Sequence, residues 1–189
     1  MGIPFEQSVI QRLMFSGRPA GVSSRLIYNF DGVDDYITVP TLTLITGDVI
    51  EYSFKSPSIA PPFFEKLLVS SINSTILETA FSKFRTAGHS VLLDGIPVVN
   101  DVTPVPLDSQ MHTVKCTLTS NTDLKFICAD SVGSNTVSYP VFDLEITAMA
   151  GDRFYAINDG FDVNPTIADS VGGQDGTANN FNESRWQNV

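Results

Sequence analysis

The stretch FDGVDDYITVP, Phe30 to Pro40, holds an aromatic residue, a glycine and three aspartates in its first six positions, then alternates strictly. From Tyr36 through Ile37, Thr38 and Val39 the period is two, and β-branched or aromatic side chains fill it, the pattern of a half-buried strand. Asp31, Gly32, Asp34 and Asp35 therefore fall in the turn that feeds this strand. Glycine reaches positive φ without steric cost, and an aspartate side chain can bond backbone N–H groups two residues on, so the acidic cluster has a local explanation.

Outward from this stretch the same rhythm recurs, short alternating runs between clusters of Gly, Pro, Asn, Asp and Ser. It predicts an all-β chain in a sandwich or barrel. The predicted strands are Leu26 to Phe30, Tyr36 to Val39, Val49 to Lys55, Leu67 to Ser71, Ser90 to Leu93, Ile96 to Val99, Thr113 to Thr119, Leu124 to Cys128, Val141 to Thr147 and Arg153 to Ile157. A short helical turn fits Pro62 to Val69, and a weak helical pattern runs through Phe5, Val9 and Leu13; neither can anchor an α/β fold. Ser56 to Pro62 and Val102 to Leu107 are Pro-rich and read as loops that cross between sheets.

Length and charge bound the function. At 189 residues and 42% hydrophobic content one large domain is the natural expectation. Twenty-one acidic residues against 11 basic ones give a net charge of −10, which repels phosphate backbones and anionic lipid surfaces, so nucleic acid is not an expected partner. No apolar run approaches the roughly 20 residues of a membrane helix, no secretory signal is visible, and Glu6 argues against myristoylation after Met-Gly.

Val91 to Val99 reads as a hairpin with Asp94-Gly95 at its tip. In the next two runs the apolar members are Val114, Cys116 and Leu118, then Leu124, Phe126 and Cys128. If both sets face the core around a loop of Asn121, Thr122 and Asp123, Leu118 pairs with Phe126 and Cys116 with Cys128. That register makes the sulfurs neighbours, and two cysteines are too few for a disulfide framework, so buried reduced thiols are expected.

Five pieces carry a resemblance: Phe30-Asp31-Gly32 through Tyr36, Gly47 to Phe54, Leu93-Asp94-Gly95-Ile96-Pro97-Val98, Met111-His112-Thr113-Val114, and Phe142 to Ile146. In this order they resemble a laminin-G-like, concanavalin-type jelly-roll domain over about Leu26 to Ala150, with Met111 where that family often has tryptophan. The resemblance implies a two-sheet antiparallel jelly-roll sandwich at residues 25–150, preceded by an N-terminal arm at 1–24 and followed by an Asp/Gly-rich extension at 151–189. The extension, with Phe154 to Gly160, Ile167 to Ala178 and Phe181 to Trp186, resembles segments of bacteriophage tail and other virion proteins. It either adds a strand to its own sheet in permuted order or docks on a neighbouring subunit.

Chemistry follows from the same family. Jelly-roll glycoside hydrolases carry alternating carboxylates on one strand, and the nearest match, Val141-Phe142-Asp143-Leu144-Glu145, has Val141 in the nucleophile's place, so no enzyme is expected. His89 and His112 lack metal-ligand spacing, and no Gly-x-Ser-x-Gly elbow exists. Calcium is the plausible ion, because laminin-G-like domains often hold one at the rim and Asp31, Asp34, Asp35, Asp169 and Asp175 supply oxygens in turns; Asp34, Asp35 and Asp169 are the expected ligands, beside the simpler turn reading. Tyr139 and Trp186 are candidates for stacking on sugars, with Trp186 better suited to anchoring the tail.

Two functions remain. The first is a structural virion protein of a bacteriophage, needing no cofactor, assembled in the bacterial host cytoplasm into a tail, baseplate or capsid as a homo-oligomer or with other virion subunits, and able to contact host surface glycans. The second is a free carbohydrate-binding lectin; a jelly-roll hydrolase is a distant third. Ile3, Phe5, Val9, Ile10, Leu13, Met14 and Phe15 in the N-terminal arm favour the first, since such groups need a surface to bury them.

Overall fold

The structure, a computed structural model, describes residues 26–28, 30, 34–60, 64–71, 74–128, 137–155, 157, 166–181 and 186–188. One antiparallel sheet runs, edge to edge, through β13 (Thr166–Ile167), β14 (Gly176–Asn179), β2 (Tyr36–Leu44), β10 (Thr122–Ile127), β4 (Phe64–Ser71), β5 (Ser74–Ala80) and β6 (Lys83–Arg85). The other runs through β12 (Arg153–Tyr155), β11 (Val141–Thr147), β3 (Val49–Lys55), β9 (Met111–Thr117), β7 (Ser90–Leu93) and β8 (Ile96–Pro97). These seven-stranded and six-stranded sheets pack as a sandwich, while β1 (Leu26–Tyr28) and β15 (Trp186–Asn188) form a separate antiparallel pair.

Alternation explains which side of each strand is buried. In β3 Ile50, Tyr52 and Phe54 are buried and the residues between them half-exposed; in β2 Ile37, Val39, Leu42 and Leu44 face inward. These rows meet Leu77, Val114, Leu124, Leu144 and Ile146 in one core, where each large side chain contributes about 1.5 to 3 kcal/mol. Pro40, which has no N–H to donate, sits in the gap of the β2–β10 ladder between Thr38 and Leu42.

The Asp-Gly hairpin is present: Leu93 pairs with Ile96, and Asp94 and Gly95 take φ of 50° and 80°, the paired positive values of a mirror-image turn. The Pro-rich 98–110 segment crosses between the sheets, since Asp101 N–H donates to Phe84 O and Phe84 N–H to Thr103 O before the chain returns to β9.

Other expectations need correction. Residues 64–69 of the expected helical turn are strand, half of a hairpin with β5, and the weak helix at Phe5 to Met14 lies outside the described residues, as does the whole 1–24 arm. The pairing of Cys116 with Cys128 is not formed, because β9 belongs to the six-stranded sheet and β10 to the seven-stranded one. After Leu118 the chain changes sheet beside the β2–β3 connection, to which it is tied by Gly47 N–H donating to Leu118 O and Thr46 N–H to Asn121 Oδ1. A bulge between Leu124 and Phe126 shifts the phase, so Ile127 faces the core and Phe126 turns outward. Both thiols are free and buried, and burial raises their pKa, for Cys116 to about 12.

The described parts of the extension add strands to the chain's own sandwich. β12 adds to β11 in one sheet, and β14 to β2 with β13 beyond it in the other, so residues 25–150 alone lack one strand of the first and two of the second.

Candidate functional site

The expected calcium ligands do not converge. Asp34 is exposed and Asp35 buried at the start of β2, where Asn180 Nδ2 donates to Asp34 O; Asp169 lies beyond the other end of β14. With Asn179 opposite Tyr36 and Gly176 opposite Ile167, the length of β14 separates them, about 10 Å or more at about 3.3 Å per residue. Among the described residues no group of three or more His, Cys, Asp or Glu could hold a metal ion.

Asp169 is instead enclosed by donors. Its Oδ1 accepts N–H bonds from Phe154 (2.9 Å), Val171 (3.2 Å) and Gly172 (2.9 Å), and its Oδ2 accepts Gln174 N–H at 3.1 Å and faces Arg153 Nε at 3.4 Å. Burial alone would raise its pKa, and the four backbone donors outweigh that, so it is lowered. A cation there would meet N–H groups instead of carbonyls. The loop from Asp169 to Asp175 thus ties β12 to β14 across the two sheets, helped by Tyr155 O–H donating to Gln174 O at 3.0 Å.

The most organised polar cluster lies at the hairpin end of the six-stranded sheet. His112 opens β9, its ring packed on Phe54 with centroids 5.6 Å apart and its side chain 12% exposed. Nδ1 is 2.6 Å from Asp94 Oδ2, in the hairpin turn, and Nε2 is 3.0 Å from Asp108 Oδ1. Both ring nitrogens face carboxylate oxygens, the arrangement of a doubly donating imidazolium. Desolvation disfavours that charge, but the two carboxylates prevail and raise the pKa of His112, while Asp108, bonded to His112 and to Ser56 O–H (2.7 Å), is held below the ordinary range. Ser56 bonds the aspartate and the imidazole nitrogens are both engaged, so the cluster is a clamp joining hairpin, loop and strand, without the geometry of a nucleophile relay.

The segments that carry the clamp also carry exposed apolar side chains. Of the nine exposed large apolar side chains among the described residues, Ile96, Val99, Val102, Leu107 and Met111 lie on the hairpin, the following loop and the start of β9; Ile59 is three residues from Ser56. Sequence spacing does not join Asp94, Asp108 and His112: the sequence places Asp94 at a hairpin tip and His112 before a strand, and nothing in it pairs them.

The remaining candidates separate. Tyr139 is buried, not exposed, and its ring lies 5.4 Å from Phe54 in the core, where burial raises its pKa. The backbone of Trp186 lies in β15, opposite Tyr28. On the outer face of the seven-stranded sheet Tyr36 and Phe126, both half-exposed, pair with centroids 6.5 Å apart. Asp143 and Glu145 share the outer face of β11, where Glu145 stands opposite Glu51. His89 is buried beside Thr119, and burial lowers its pKa. Comparison with protein-family models, with curated proteins and with solved structures finds no match.

Proposed function

We propose that this chain is a structural virion protein of a bacteriophage, a laminin-G-like jelly-roll module that works by assembling with other subunits and not by catalysis. The observation that carries this reading is the concentration of exposed apolar side chains, Ile96, Val99, Val102, Leu107 and Met111, on the hairpin, the following loop and the start of β9, called the rim below, since exposed apolar surface of this kind marks protein contacts. The laminin-G-like part is supported by the quoted motifs, which fall in order on the start of β2, on β3, the β7–β8 hairpin, β9 and β11. The particle is assembled in the bacterial cytoplasm in this reading.

The partner surface is the first 25 residues of a neighbouring copy. They carry Arg12, Arg18 and Arg25 against Glu6 alone, a net +2 that leaves −12 on the remainder, and they contain the large apolar groups that need burial. The segments that carry the rim also carry the exposed carboxylates Asp94, Asp101 and Asp108, which suit a basic partner. Replacing Ile96 and Leu107 together by aspartate is expected to shift the sedimentation coefficient from an oligomer to a monomer without changing the far-ultraviolet spectrum. An unchanged oligomer would remove the rim from the account.

A second reading, a carbohydrate-binding module, draws on the Tyr36–Phe126 pair, which presents ring faces beside Asn179 and Thr38. Retention on immobilised host glycans, lost in Tyr36→Ala, would favour it.

A further inference from the structure

Glu65 stands apart from everything assigned so far. It faces inward from β4, is 0% exposed, and has no cationic partner among the described residues. Its Oε1 accepts the backbone N–H (3.0 Å) and hydroxyl (2.5 Å) of Ser138, and its Oε2 lies 3.5 Å from Thr79 Oγ1 on β5. Ser138 belongs to the segment that leads into β11, so this one carboxyl joins the seven-stranded sheet to the approach of a central strand of the six-stranded sheet. Above the same segment the chain is closed on Cys128, whose carbonyl accepts Val137 N–H at 3.0 Å.

We propose that Glu65 is a proton-operated latch between the two sheets, closed on Ser138 while the carboxyl is neutral and loosened when it ionises. Among the described residues the groups that face it supply no compensating charge. From β5 comes only the Thr79 hydroxyl; from the segment before β11, the Ser138 donors and the Tyr139 phenol; from the end of β10, the Cys128 thiol. Both the phenol and the thiol have their own pKa raised by burial first and by the Glu65 charge second, so neither becomes a partner by ionising. A neutral carboxyl fits the site fully: Oε1 keeps both Ser138 donors, and the acid proton on Oε2 can turn to Thr79 Oγ1. An ionised one keeps the Ser138 donors but carries a charge that only water can solvate, and admitting water means parting Ser138 from β4.

Burial is the dominant cause of a raised carboxyl pKa here, partly opposed by the Ser138 and Thr79 bonds, which leaves it at about 7 against an ordinary 4.5. The sign follows from linkage. Because the folded state holds the proton more tightly, its stabilisation is complete below pH 4.5 and is lost as pH rises through about 7. The full loss corresponds to roughly 300-fold in the folding equilibrium.

The test compares the full chain with Glu65→Gln, which keeps the shape and cannot ionise. The difference in stability between the two should change by about 150-fold between pH 4.5 and pH 8, the wild type losing ground, and then stay level. Protection of the Ser138 amide from hydrogen exchange, corrected for intrinsic rate, should fall above pH 7 in the wild type only. If Glu65→Gln does not fold, the carboxyl 13C resonance of Glu65 in the wild type reports the midpoint directly, expected near 7. Parallel stability curves or a midpoint below 5 would overturn the raised pKa, and equal Ser138 protection in both proteins would overturn the latch.

Discussion

At the scale of single residues, carboxylates organise this molecule by accepting backbone N–H groups. Asp169 is the extreme case, with a charge held by a loop folded around it. Asp169→Asn would place an NH2 against N–H donors in either orientation, an expected loss of about 1 to 3 kcal/mol seen as a lower Tm. Gly172→Ala should act in the same direction, because its Cβ would fall within 2.5 Å of Asp169 Oδ2 and closer still to the Arg153 guanidinium. A Tm unchanged in both would mean that the loop does not tie the sheets. The acidic text around Asp169 was legible as a turn, but its partner Arg153 was not, since no spacing rule joins a strand residue to a loop sixteen positions on.

His112 adds a pH dependence of opposite origin. Its raised pKa means that its contribution is complete below the unfolded value near 6.5 and is lost as pH rises through the folded value. Asp94 and Asp108, with lowered pKa, contribute above 3.8 and lose that contribution as pH falls through their folded values. The clamp is therefore strongest between these limits, and His112→Gln should flatten the alkaline side of a stability profile. If the variant's profile keeps that slope, Glu65 alone accounts for it.

Among the elements, the hairpins show what local sequence can and cannot specify. Asp94-Gly95 announces its turn because both residues tolerate positive φ. The β5–β6 hairpin makes the same kind of two-residue turn with Phe81 and Ser82, at φ of 51° and 61°, and no turn signal marks them. Tertiary packing of Leu77 and Phe84 imposes the conformation against local preference. Ser82→Gly should relieve part of that strain and raise stability by up to about 1 kcal/mol in chemical denaturation; a loss would show that the hydroxyl, not the backbone, governs the turn. The cysteine strands misled for a related reason. Alternation told which residues of each run are apolar, but a short linker between two strands can turn within a sheet or step across to the other, and Asn121 bonding Thr46 marks the step only in three dimensions.

For the molecule as a whole, period-two patterning was enough to place two antiparallel sheets, since most of the long inward rows, such as Ile50, Tyr52 and Phe54, were visible as alternation. Of the short strands, β8 and β12 fell in expected runs, whereas β6, β13 and β14 did not, because two to four residues carry little period, and so the closing role of the extension stayed open between self and neighbour. β12 and β14 now show that the described residues of 151–181 add strands to this sandwich, and the proposal therefore assigns the contact between copies to the first 25 residues. The most direct measurement is sedimentation velocity of the full chain and of residues 26–189, with far-ultraviolet circular dichroism of both. The account predicts a discrete oligomer for the full chain and a monomer with the same β spectrum for the shorter one. A full chain that stays monomeric at every concentration, or a shorter chain that assembles equally well, would contradict it.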